Sequence, residues 1–298
     1  MPVRSPFLDL ARQGRRLTPV WLVIVLALAI WFLSIVVRGV FAEAFAPDAG
    51  QSTALGSALA FAPAVVVAYG LRVLLAWLWV RQYEGRGIAT LGLHREHAVI
   101  RLLTGFAAGA ALFGVVVAVL AATGSLRLVD GPPTSQGTAA LGGVLVVVVA
   151  WLVQAGGEEV LFRGFLLQGI GSRSLWLGIA VQAVLFAVAH QQALGSPVAL
   201  LNLVLFAVLA ALWALRQGSL WGVIGFHAAW NWVQGNVAGI AVSGNEAPGG
   251  ALVRLVPDGP AALSGGAFGA EGSLVVTAVL LTATAAAGWS LRRATVRA

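Results

Sequence analysis

Four fully charged side chains lie well inside long apolar stretches of this sequence: Arg72, Glu158, Glu159 and Arg163. His190, His227 and Asn231 sit at similar depth in apolar runs of their own. Insertion scales assign ~2.5–3.5 kcal/mol to an Asp, Lys or Arg at the centre of a bilayer, so each such residue needs a physical reason to be there. Glu158 and Glu159 have short stems, and their flanks, 151–157 and 160–162, are almost wholly apolar. They must face protein or a water-filled cavity. Glu159 and Arg163 are i and i+4, hence on one helical face and able to pair. Glu158 is rotated ~100° away and lacks that partner. A carboxylate near a buried cation but not neutralised by it is a candidate general base. Phe186 with His190, and His227 with Asn231, repeat the i,i+4 spacing on two other runs. They add proton carriers and an amide donor to a hydrolytic constellation in which water attacks and an oxyanion develops. An ion network that only pins helices together would account for the two glutamates and Arg163 but not for these three. Arg72 is eight residues from the end of its run and reads as a snorkelling side chain. His94 and His97 fall in a charged stretch and read as solvated loop residues.

The elements that position these groups are membrane helices. Of the 298 residues 59% are hydrophobic and 10% charged, far from the balance of a soluble domain. A spanning helix needs ~20 mostly apolar residues, and about eight runs qualify: 18–40, 53–80, 101–123, 139–168, 175–191, 198–215, 220–242 and 273–291. The fold class is therefore all-α, a polytopic bundle with a buried polar cavity. Residues 1–138 hold the first three helices, 139–242 a catalytic core, and 243–298 an irregular external loop and the final helix. The fourth run would be ~45 Å as one helix, so tilt or a break is expected there, at Gly156-Gly157 or Gly169 to Gly171. Glu158 lies 13 residues before Gly171 and His190 19 after it, which sets both near mid-bilayer. All 18 basic residues are arginine, and net charge +7 suits an anionic membrane face better than nucleic acid. Arg4, Arg12, Arg15 and Arg16 precede the first run, while Glu43 and Asp48 come after it. With Arg81, Arg86, Arg95, Arg173, Arg216, Arg292, Arg293 and Arg297, this predicts eight spans of the cell membrane with both termini cytoplasmic. The triplets Ala-Glu-Ala and Ala-Phe-Ala over 42–46 fit a signal-cleavage site, but the apolar run is longer than a usual signal core, which favours a retained anchor. With no cysteine, thiolate chemistry and disulfides are excluded.

The run Glu158 to Arg163 reads EExxxR, Phe186 to His190 FxxxH, and His227 to Asn231 HxxxN. This ordered triple resembles the CAAX protease and bacteriocin-processing (CPBP, or Abi) family, similar to the Ras-converting CAAX prenyl endopeptidases. The resemblance covers about a third of the chain. It implies an intramembrane endopeptidase in which Glu158 activates water with help from His190, Glu159 and Arg163 hold Glu158 in place, and His227 and Asn231 line the oxyanion site. Two histidines and a glutamate can also form a hydrolytic zinc site, the reason such proteins are called metallopeptidases. The absence of an HExxH pair and the poor ligand character of Asn231 favour catalysis without a metal or other cofactor, with zinc as the alternative.

Two other classes compete. Buried Glu, Arg and His also mark the paths of proton-coupled transporters, although the charges here cluster in one half and no repeat is visible. A non-catalytic membrane scaffold or immunity protein would tolerate loss of Glu158. The partners expected are the bilayer and a membrane-associated peptide, prenylated or not, and the all-arginine, Ala/Gly/Val-rich composition hints at a high-GC prokaryote.

Overall fold

The computed structural model describes residues 5–45 and 53–297; Arg4, Ala46 and Asp48, and the side chains of 294–297, lie outside the described residues. The described residues form a helical bundle: α1 (Val20–Ala44), α2 (Ala54–Trp79), α3 (Ala98–Ala122), α4 (Leu141–Glu159), α5 (Leu175–Ala189), α6 (Pro197–Gln217), α7 (Trp221–Trp232) and α8 (Leu274–Arg297). Their sequences are apolar nearly all round, which suits lipid, because a helix satisfies its own backbone where water cannot. Thr53 caps α2 by accepting from the Gly56 amide, Ser196 caps α6 ahead of Pro197, and Gly218 (φ 69°) closes α6 in the left-handed conformation. Three helices widen into π turns: α2 at Val80–Glu84, α4 at Val160–Leu167 and α7 at Val233–Val237.

Among the described residues, six helices are long and apolar enough to cross a membrane. α5 has 15 residues, ~22 Å at ~1.5 Å each, and does not fill a ~30 Å core by itself. Of the two expectations for the fourth run, tilt or a break, the break does not occur. Helical structure is continuous over Gly137–Gly171, and Gly157 serves packing instead. A Cβ there would stand 2.7 Å from the Tyr69 carbonyl oxygen, so α4 and α2 touch backbone to backbone. α5 stops at Ala189, one residue before His190, and the seventh run leaves helical structure after Val237 rather than at 242. The segment 243–272 is not irregular throughout. Within it β2 (Leu255–Pro257) pairs antiparallel with β1 (Leu126–Leu128). His94 is half-buried, with Nε2 3.0 Å from Arg101 Nη1; burial and then the Arg101 charge lower its pKa.

The bundle has two distinct ends. At one, Ser5 bonds the Leu215 carbonyl, Arg12 the Ser172 carbonyl, the Leu220 amide the Gly92 carbonyl, and Arg216 the Ser290 hydroxyl. At the other, the Ala54 amide meets the Thr134 carbonyl, the Gly249 amide the Ser57 hydroxyl, and the two strands pair. We refer to the first as the arginine-rich end.

α3 and α7 cross closely because Gly109 has no side chain: a Cβ there would lie 2.3 Å from the Phe226 carbonyl oxygen. Gly109→Val should cost ~1–3 kcal/mol through forced separation. Gly114→Val, with nothing within 4 Å of the added Cβ, should stay within ~0.5 kcal/mol of wild type. Thermal unfolding in detergent checks this; equal midpoints for the two variants would show that the crossing is not tight.

Candidate active site

α4 carries the acids into the middle of the bundle. Glu158, Glu159 and Arg163 are all buried, Glu159 and Arg163 completely. Arg163 sits in the π turn that continues α4, donating from Nη1 to Glu159 Oε1 over 3.2 Å, with its guanidinium 4.5 Å above the Phe186 ring. π turns often mark functional positions, where the widened turn re-aims a side chain. Glu159 also receives the His227 Nδ1 proton at 2.9 Å. The carboxylate thus fixes the imidazole on α7, which leaves Nε2 facing Glu158 Oε2 at 3.9 Å, beyond hydrogen-bond range.

Glu158 is held by other groups. Arg72 Nη1 lies 3.5 Å from its Oε1, Gln154 Nε2 donates to the same oxygen at 3.2 Å, and Oε2 has no hydrogen-bond partner. Arg72 is 4% exposed, so it does not snorkel. It donates from Nε to Ser34 on α1 at 2.7 Å and lies 4.3 Å over the Tyr69 ring. Snorkelling gives way because a buried hydroxyl and carboxylate hold the guanidinium within the bundle. The role of keeping Glu158 in place, expected of Glu159 with Arg163, is met by contacts from Arg72 and Gln154.

Asn231 gives one amide proton to Gln154 Oε1 at 2.9 Å and keeps a second. His190 caps α5 and bonds the Phe186 carbonyl through Nδ1 at 2.8 Å. A carbonyl only accepts, so Nδ1 carries the hydrogen and Nε2 of the neutral ring is an acceptor. Phe186 is a hub: Phe162 meets it edge-on at 5.2 Å, Phe206 stacks at 5.9 Å and the His190 ring lies at 4.7 Å.

Glu158, His190, His227 and Asn231 line one cavity of about 440 Å³. Glu159 and Arg163 stand behind that wall. Sequence reasoning read Arg72 as snorkelling and missed Ser34, Gln154 and Glu271. Glu271 lines the cavity too and accepts from Trp230 Nε1 at 3.1 Å and from the Ser243 amide at 2.7 Å. For Gln154 a signal existed, since it is i−4 from Glu158. As to metal ligation, among the described residues no group of three His, Cys, Asp or Glu side chains is arranged to hold an ion.

An all-α polytopic membrane protein whose helices bury paired carboxylates and histidines around a cavity is the class that fold and site define. Within it, residues 140–233 match the family model described as Type II CAAX prenyl endopeptidase Rce1-like. The match runs from the start of α4 to the residue after α7, and so takes in all six residues singled out by spacing while leaving out Ser34, Arg72 and Glu271. The proteins that this description covers are peptidases, and the match spans about a third of this chain. No curated protein and no solved structure matches the chain.

Removing one partner of a buried ion pair strands the other charge, at ~3–5 kcal/mol. Arg72→Leu should therefore lose stability in that range, and Arg72→Leu combined with Glu158→Gln should recover most of it. A double-mutant cycle by thermal unfolding in detergent measures the coupling; additive effects would mean that the two side chains do not interact.

Proposed function

We propose that the protein is an intramembrane endopeptidase that hydrolyses a peptide bond of a membrane-associated substrate with water activated by Glu158. The observation that carries this reading is a pair of atoms on two cavity-lining side chains: Glu158 Oε2, buried without a hydrogen-bond partner, and His227 Nε2, 3.9 Å away. Each is held from behind, Glu158 by Arg72 and Gln154 and His227 by Glu159.

Water placed against Oε2 gives a proton to Glu158 as its oxygen attacks the carbonyl carbon. The oxyanion then receives the free Asn231 amide hydrogen and, with both ring nitrogens protonated, His227 Nε2–H. Such donors count most where water is excluded and the local dielectric is low. On collapse the proton held by Glu158 passes to the departing amine, and His190 Nε2 serves as a second acceptor within the cavity. Glu159 and Arg163 neutralise each other and position His227.

This route needs no cation, and we place catalysis on the protein's own groups. The donor set supports that: Asn231 is tied to Gln154, and among the described residues no three acid or imidazole groups are arranged to hold an ion. Purified protein tested on fluorogenic peptides, prenylated and not, should show His227→Ala and Asn231→Ala each lowering turnover by ~10²–10³ with KM little changed. A chelator should leave the wild type active. One zinc per chain, lost and regained together with activity, would instead make Glu158, His190 and His227 the ligands and the metal the activator of water.

A further inference from the structure

The cavity is one-sided. Its floor is Glu158 at mid-bundle, and its exposed lining residues, among them Arg38, Ala42, Gln191, Gln192, Asn245 and Glu246, all belong to the end away from Arg12 and Arg216. Arg38 and Ala42 are near the finish of α1, Gln191 and Gln192 come just after α5, and Asn245 and Glu246 precede β2. Towards the arginine-rich end the path is closed by fully buried side chains on the helix that continues α4: Glu159, Arg163, Leu167 and Gln168. Gln168 is in turn bonded by Arg86, which is paired with Glu84.

The two ends differ in charge. Arg12, Arg15, Arg16, Arg81, Arg173 and Arg216 lie at the closed end, in the N-terminal segment, in the connection before α5, or in the last turns of α2 and α6, where the acids Asp9 and Glu84 are paired with Arg12 and Arg86. Glu43, Asp130, Glu246, Asp258 and Glu271 outnumber the three arginines at the open end, Arg38, Arg127 and Arg254, of which Arg254 and Arg127 are offset by Glu246 at 2.9 Å and Asp258 at 3.6 Å. Arginine in short loops is retained on the cytoplasmic side of a membrane, and that bias fixes the orientation of the whole bundle.

We infer that the cavity opens on the non-cytoplasmic face, so that its substrate is a peptide segment presented at the outer surface of the membrane, exported there or held there by its own span or lipid, and not the C-terminus of a cytoplasmic protein. The word substrate rests on the peptidase reading; the side of the mouth does not. Hydrolytic water reaches Glu158 from that outer side by the same route.

The native chain has no cysteine, so single-cysteine variants report position without background. Gln192→Cys and Asn245→Cys mark the mouth and Arg95→Cys the closed end. In right-side-out vesicles of cells expressing the full chain, a membrane-impermeant maleimide should label the two mouth variants fully, with no increase on permeabilisation, and Arg95→Cys only after it. The reverse pattern overturns the inference, as does labelling of all three only after permeabilisation. Adding a fluorogenic peptide to the same preparation tests the substrate side: right-side-out vesicles should cleave it and inverted ones should not, and cleavage by inverted vesicles alone would contradict the assignment. If neither orientation cleaves while the mouth variants label from outside, the peptidase reading falls and the orientation stands.

Discussion

The contact between Arg72 Nη1 and Glu158 Oε1, 3.5 Å long with both side chains nearly out of solvent, is what allows an ionised acid to persist in a bundle built for lipid. An isolated carboxylate there would neutralise or drag water in with it. A pair is tolerated, yet it is not a source of stability, because desolvating two ions costs about what their attraction returns. Apolar residues of similar volume would hold α2 to α4 as well or better. Keeping Arg72 opposite Glu158, and Arg163 opposite Glu159, makes physical sense where the charge itself is used. The geometry has a consequence for chemistry: Arg72 and Gln154 both reach Oε1, which leaves Oε2 without a hydrogen-bond partner on a side chain that lines the cavity.

The remaining architecture serves those two pairs. α4 brings both glutamates in side by side, and the π turn after it keeps Arg163 within reach of Glu159. α7 presents His227 and Asn231 one turn apart to the same wall, its close crossing with α3 set by Gly109. α1 contributes Ser34 to Arg72, although the family match begins far beyond it. The site therefore draws on helices from most of the chain rather than on the matched third alone.

Much of this was legible in the amino-acid order because helical spacing is local. An i,i+4 acid and base on one apolar run must pair, and Glu159 and Arg163 do. The placement of His227 and Asn231 came from the same rule. Arg72 escaped because its partner is 86 residues away in sequence, and long side chains in apolar helices have an easier explanation in snorkelling. Gln154 carries no charge and so raised no energetic question, though it stands one turn from Glu158. Glu271 sits in a segment whose Gly and Pro content reads as loop, and its burial depends on Trp230 of α7 and on Ser243 at the far end of its own segment. The glycines of the fourth run suggested a break, where tertiary contact with Tyr69 was the actual reason for one of them.

The central claim is that Glu158, and not its neighbour, is the group that activates water. Turnover of Glu158→Gln and of Glu159→Gln, each purified and shown by thermal unfolding to be folded, tests it with isosteres that keep the volume and remove the base. The account predicts no detectable cleavage by Glu158→Gln and a residual, measurable rate for Glu159→Gln, whose loss only loosens His227. Near-normal turnover by a folded Glu158→Gln would contradict it.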